Sequence, residues 1–274
     1  MNIGLIGSGG REHAIAAALT RNPQRDDLIV YGNSNNVGIE RLAQVYQNGS
    51  LTDIQAIVSF FTKNPVDYVV IGPELPLTHG AADALRAAHI PVVGPNQFQA
   101  QLEGSKTFMR DLMQKHIGWG SLRWHKVHTC QEARLFIEEV GQAVIKPIGL
   151  TGGKGVQVMG EHLHSTEEAL VLVDQILKAD GVVLLEERLV GEEFSRIALV
   201  SDGNIVPMPI AQDFKYAYEG DKGGMTGGMG SYTMLDGRMP FLTDSDIQQA
   251  DRLMAEVVTA LEKVSGAPYR GFLY

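Results

Sequence analysis

The sequence predicts an α/β protein whose first hundred residues form a parallel sheet flanked by helices. Two observations carry that class: short apolar runs alternate with amphipathic stretches, and the runs end in a glycine or a turn. The expected strands are NIGLIG (2–7), LIVYG (28–32), YVVIG (68–72) and PVVG (91–94). Between them, 52–63 and 80–88 place their apolar residues at helical spacing. One helix is expected over 98–116. Beyond it the composition turns β-rich, in WHKV, AVIKPIG, GVQVM, VVLLEERL and the run from Phe194 to Asp213, so 66–94 and 144–213 belong to different architectures. A last helix is expected over 243–264. The closing YRGFLY (269–274) reads as the start of a strand whose pairing would need a continuation.

Bulk composition narrows the function classes. The 274 residues, 44% hydrophobic and 20% charged, suffice for two or more domains with real cores. A net charge of −9 argues against a protein that coats nucleic acid or an anionic membrane, since both need a basic face. The single cysteine, Cys130, excludes an intramolecular disulfide framework and a multi-cysteine zinc site, and it suits a reducing compartment. No apolar run approaches the roughly 18 residues of a membrane helix, and no basic, apolar leader opens the chain. A cytoplasmic protein is expected.

The opening GSGGREHA resembles a damaged dinucleotide fingerprint. Gly7 and Gly9 fit G-x-G-x-x-G, but Glu12 stands at the third glycine, and the second strand ends in Gly32-Asn33 where a ribose-binding acid belongs. A nicotinamide-dependent oxidoreductase is disfavoured on those two grounds. The turn is still an anion site in principle, because N–H groups at a helix start point at a ligand and Arg11 adds a planar fork of donors. The alternative is a tight glycine turn with no ligand. Ligands of such sheets lie at the carboxyl ends of the strands, which puts Gly9, Gly10 and Arg11 on one rim with Pro73 and Glu74 of GPELPL. Glu74 reads equally as a ligand contact or a solvated carboxylate.

The most specific chemistry lies in AVIKPIGLTGGKGVQVM. A strand delivers Lys146, a loop with Gly149, Gly152, Gly153, Lys154 and Gly155 follows, and a second strand returns. This is no Walker loop, since Gly155 replaces its Ser or Thr and no helix follows. Glycines let backbone N–H groups approach phosphate oxygens, and the lysines supply charge; a flexible hairpin with surface lysines is the alternative. Downstream, VVLLEERLVGEEFS ends an apolar strand in paired acids. Glu186, Glu187 and Leu189 could offer backbone groups to an adenine edge, and Glu193 could accept from ribose hydroxyls, unless this is simply a charged strand end.

Taken together, GSGGREHA, GPELPL, QLEGSK, GLTGGKGV, EERLVGEEFS and TGGMGSY, in that order, resemble the phosphoribosylamine–glycine ligases of the ATP-grasp superfamily over the whole chain. The resemblance implies a Rossmann-like domain (1–103) and an ATP-grasp fold, with a lid subdomain over 104–192 and an incomplete central subdomain over 193–274. It implies ATP-dependent joining of glycine to 5-phosphoribosylamine through a glycyl phosphate, in purine biosynthesis. Lys106, Lys146 and Lys154 would be catalytic, and these lysines with Gly152, Gly153, Gly155, Glu186, Glu187, Leu189 and Glu193 would bind ATP. Gly9, Gly10, Arg11, Glu12, Pro73 and Glu74, with Asp213, Lys215, Thr226, Gly227, Gly228 and Met229, would contact glycine and phosphoribosylamine.

Three departures from the family pattern bear on this expectation. Pro147 and Ile148 replace Asp and Ala-type residues, Gly224 and Met225 replace Pro and Asn, and the Glu and Asn that would hold Mg²⁺ (or Mn²⁺) are expected beyond Tyr274. A truncated chain is therefore expected, weakly active or inactive alone. The family implies small-molecule partners and a monomer. The competing readings are a noncatalytic nucleotide-binding module of the same fold and another ATP-grasp carboxylate–amine ligase.

Overall fold

The computed structural model describes residues 1–21, 27–148, 155–220 and 222–274. It divides into two compact units, one made of 1–104, 199–206 and 261–273, the other of 105–198, 207–260 and Tyr274.

The first unit is built on five parallel strands: β1 (Asn2–Ile6), β2 (Asp27–Gly32), β3 (Val45–Asn48), β4 (Tyr68–Ile71) and β5 (Val92–Val93). Their spatial order is β3-β2-β1-β4-β5, so the winding reverses between β1 and β4. Strand alternation makes both faces apolar, as a parallel sheet buried on both sides requires. Ile3, Leu5, Leu28, Val30 and Val70 pack with Ala16 of α1 (Gly10–Leu19) and Ile39 of α2 (Val37–Glu40). Ile29, Tyr31, Val69 and Ile71 pack on the other face with Ile57, Phe60 and Phe61 of α3 (Ile54–Lys63). Gly4 allows that contact, because a β-carbon there would lie 2.7 Å from the Phe61 ring. Two short helices, α4 (Glu74–Thr78) and α5 (Ala81–Ala87), complete the layer.

The sequence reading lists four of these five strands. It misses β3, whose VYQN is half polar and lies at the sheet edge.

Behind β1, Glu12 shapes the glycine turn. Only 5% of it is exposed, and its carboxylate accepts the Gly9 N–H at 2.7 Å, the backward half of a capping box. A β-carbon at Gly7 or at Gly72 would collide with the Glu12 side chain, so the glycines after β1 and β4 make room for one acid. The third fingerprint position is therefore filled from inside.

The expected helix over 98–116 is in fact three pieces: α6 (Gln101–Gly104), α7 (Lys106–Leu112) and a π-helical turn, Met113–Ile117. Ser105 breaks it. Its backbone is extended and its hydroxyl accepts the Phe108 N–H at 3.3 Å, capping α7.

In the second unit, β6 (Trp124–Val127), β7 (Ala143–Lys146), β8 (Gln157–Val158) and β9 (Val183–Glu187) form an antiparallel sheet in the order β6-β9-β7-β8. Helices α8 (Cys130–Val140) and α9 (Thr166–Asp180) cover one face over Val127, Ile145, Val183 and Leu185. The opposite face carries Lys146 and Glu186.

Strands β10 (Ala198–Ser201) and β11 (Asn204–Pro207) are joined by Asp202 and Gly203, both left-handed, the geometry of a two-residue hairpin turn. Then β12 (Gln212–Tyr218) and β13 (Lys222–Tyr232) pair with each other, α10 (Asp244–Ser265) follows, and β14 (Arg270–Leu273) joins β10. The TGGMG segment lies within β13. Arg196 ties α10 down, with Nε and Nη2 on the two Asp251 oxygens at 2.7 and 2.9 Å and Nη1 on the Met208 carbonyl.

Two substitutions test this local logic. Glu12→Ala strands the Gly9 N–H and empties a buried site, and is expected to cost about 1–3 kcal/mol in denaturant unfolding. Ser105→Ala removes only a cap and should cost about 1 kcal/mol.

Candidate active site

On the first unit, α1 begins at Gly10, at the carboxyl end of β1 and beside β4, where the sheet reverses its winding. Gly9 and Gly10 are exposed. Arg11 donates to the Gly72 carbonyl at 3.1 Å and lies 3.6 Å from Glu74. The structure thus brings Gly9, Gly10, Arg11, Pro73 and Glu74 to one rim. Glu12, expected among the substrate contacts, faces inward instead. Its carboxylate takes up one of the turn's N–H groups, so an anion on the rim would be met by the remaining N–H groups and by Arg11.

The second unit gathers the lysines. Lys106 opens α7 and donates to the Pro147 carbonyl at 3.3 Å, next to Lys146 at the end of β7. The Lys146 ammonium is ion-paired with Glu186 of β9. Glu186 is 2% exposed, and its other oxygen accepts both Nε and Nη2 of Arg110 at 2.8 Å. A carboxylate this deep needs such partners, since a bare buried charge costs several kcal/mol. The Glu186 side chain is thereby committed to cations, which leaves only its backbone for an adenine edge.

Arg110 escaped the sequence reading. Its signal was present: Lys106 and Arg110 stand four apart and share one face of α7.

Glu187 ends β9 with its carboxylate on the Arg123 N–H and Nε, at 2.7 and 2.8 Å. Those bonds, the backbone one first, hold it below the usual carboxylate range. Leu189 follows, exposed. Gly155 keeps φ at +91° at the end of the glycine-rich segment. Gly149, Gly152, Gly153 and Lys154 lie outside the described residues. A cavity of about 450 Å³ adjoins Gly155, but Gln157, Leu163, Glu168, Val171, Leu172 and Gln175 complete its lining. Among the described residues its lining offers no cation to a phosphate.

Glu193, expected at ATP, and Lys215, expected in the glycine pocket, are paired with each other. Lys215 is bonded to Glu193 and lies 3.7 Å from Asp213. Burial lowers its proton affinity, but the Glu193 hydrogen bond and the two carboxylate charges outweigh that and raise it above the ordinary lysine value.

Thr226, Gly227, Gly228 and Met229 occupy an irregularity in the ladder. Phe214 pairs with Gly230 and Tyr216 with Met225, two steps along β12 against five along β13. The extra residues bow out, fixed by Thr226 Oγ1, which donates to the Lys215 carbonyl at 2.9 Å and accepts the Gly228 N–H at 3.1 Å. Gly228 takes φ +125° there, and Met229 is exposed.

Among the described residues no group of three or more His, Cys, Asp or Glu side chains could hold a metal ion. Nor is any helix long and apolar enough to cross a membrane.

Comparison with known proteins gives this geometry its context. The N-domain model of phosphoribosylglycinamide synthetase matches residues 1–103, and the ATP-grasp (A) domain model of the same family matches 104–274. A phosphoribosylamine–glycine ligase of Methanopyrus kandleri is 43% identical over 98% of this chain, and one of Methanocella arvoryzae is 43% identical over all of it. The chain spans 62% and 63% of those relatives' lengths. The crystal structure of the Thermotoga maritima phosphoribosylamine–glycine ligase superposes with a TM-score of 0.76 at 30% identity, covering 99% of this chain and 64% of that one. An ADP complex of N5-carboxyaminoimidazole ribonucleotide synthetase shares the fold, with a TM-score of 0.68 at 19% identity. With family models matched from its first residue to its last, the chain belongs to the phosphoribosylglycinamide synthetase family.

Proposed function

We propose that the protein takes part in the ATP-dependent ligation of glycine to 5-phosphoribosylamine, giving glycinamide ribonucleotide, ADP and phosphate. The observation that carries this reading is the cluster of Lys106 and Arg110 on α7 with Lys146 and Glu186 near the ends of β7 and β9, in a chain that two domain models of one ligase family match throughout. A cytoplasmic setting accords with the free Cys130.

The chemistry follows from the substrates. A carboxylate is a poor acyl donor, so a glycine carboxylate oxygen first bonds to the γ-phosphorus of ATP while the bond to the β-phosphate oxygen breaks and ADP leaves. The amine of phosphoribosylamine then bonds to the acyl carbon, phosphate departs, and the amine loses a proton. Lys106 and Lys146 compensate charge on the phosphates during the first step, with Lys154 of the lid as a third cation. The backbone at Glu187 and Leu189 meets adenine, and Glu193 the ribose. Asp213, Lys215 and the bowed residues 226–229 face glycine, while Gly9, Gly10 and Arg11 hold the substrate 5-phosphate.

In this reading residues 1–103, 104–192 and 193–274 are its three working parts. Mg²⁺, when bound, would supply positive charge against the phosphates. The described residues do not fit it, since they present no cluster of acidic ligands and Glu193 and Asp213 are both turned to Lys215.

Labelled glycine converted to glycinamide ribonucleotide, with one ADP released per turnover, tests the reaction on a protein of full family length; ADP release that ignores phosphoribosylamine sinks it. In that assay Lys146→Met is expected to lower kcat by about 10²- to 10³-fold. Arg11→Ala should raise KM for phosphoribosylamine on the order of tenfold with KM for ATP unchanged. The reverse pattern would mean that the two sites are interchanged.

A further inference from the structure

Arg110 has no part in the reaction as set out above, yet it holds the buried Glu186 with two of its nitrogens. The surroundings make that contact consequential. Glu186 carries one negative charge at 2% exposure, and among the described residues two cations address it, Arg110 from α7 and Lys146 from β7. Arg110 is the more enclosed of the two, with 13% of its side chain exposed against 23% for Lys146. The guanidinium cannot lose its proton in water, and its planar fork suits a fixed carboxylate. Lysine is a flexible point charge with three donors, able to leave one partner for another.

We propose that Arg110 is a positioning residue that keeps Glu186 paired, so that the Lys146 ammonium is released to donate to a nucleotide phosphate. The assignment rests on the nucleotide reading given above. With Arg110 in place, Lys146 can turn toward phosphate while the carboxylate stays neutralised. Without it, Lys146 is the remaining cation on a buried acid among the described residues, and recruiting it would strand that charge in a site nearly closed to water. The cost would fall on ligands that carry phosphate and spare those that do not.

Titration of this chain with ADP and with adenosine, followed by NMR chemical shifts up to millimolar ligand, tests the assignment. Arg110→Gln is expected to weaken ADP binding about 10- to 100-fold, the equivalent of one charge-assisted hydrogen bond, and to leave adenosine within about twofold. Arg110→Lys, which restores a cation beside Glu186, should recover most of the ADP affinity and also covers the event that the glutamine variant folds poorly. Equal weakening of ADP and adenosine, or none of either, overturns the assignment and leaves the nucleotide site standing. Absence of ADP binding to the unmutated chain overturns the nucleotide reading itself, and this inference with it.

Discussion

A carboxylate shut away from water must be matched by positive charge, and Glu186 imposes that demand on the second unit. To meet it, α7 presents Arg110, β7 presents Lys146, and β9 holds the acid between them. Three elements distant in sequence are thereby fixed to one point, and Lys106 follows as the residue one turn before Arg110 on the same helix face. The break at Ser105 belongs to the same requirement. A helix running unbroken from residue 98 would set its own rotation, whereas a capped start lets α7 present Lys106 and Arg110 independently of what precedes it.

The first unit also buries an acid, and there the carboxylate is seated on a backbone N–H. Glu12 replaces a glycine expected of dinucleotide sites and fills the space between two glycine turns. The turn keeps its shape but yields an N–H group to its own side chain. An acid at that position is hard to reconcile with a pyrophosphate drawn deep into the turn, and easier with a smaller anion at its edge.

Much of this was legible beforehand, and the failures have local causes. Apolar runs ending in glycine located β1, β2, β4 and β5, because buried parallel strands read as near-continuous hydrophobics. The edge strand β3 lacks that signature. Helices α8 and α9 were hidden within a region that reads as β-rich, although Thr129 with Glu132 and Ser165 with Glu168 spell out caps whose hydrogen bonds the structure contains. Lys106, Lys146 and the glutamate hinge could be placed in one neighbourhood through the resemblance of their motifs to the ATP-grasp ligases. The partners of Glu186 and the pairing of Glu193 with Lys215 could not, since both depend on which strands become neighbours and which faces they turn.

The slipped register between β12 and β13 bears on how such a site can change. Residues 226–229 bow out between two pairings, so a change among them need not shift Phe214 against Gly230 or Tyr216 against Met225, unless it removes the Thr226 hydroxyl or places a side chain at Gly228, whose φ is +125°. Met225, by contrast, is itself paired, opposite Tyr216. Substitution there touches the ladder, whereas other substitution in the bow touches only what lies against it. A strand can in this way carry a variable segment without giving up the pairing on either side of it.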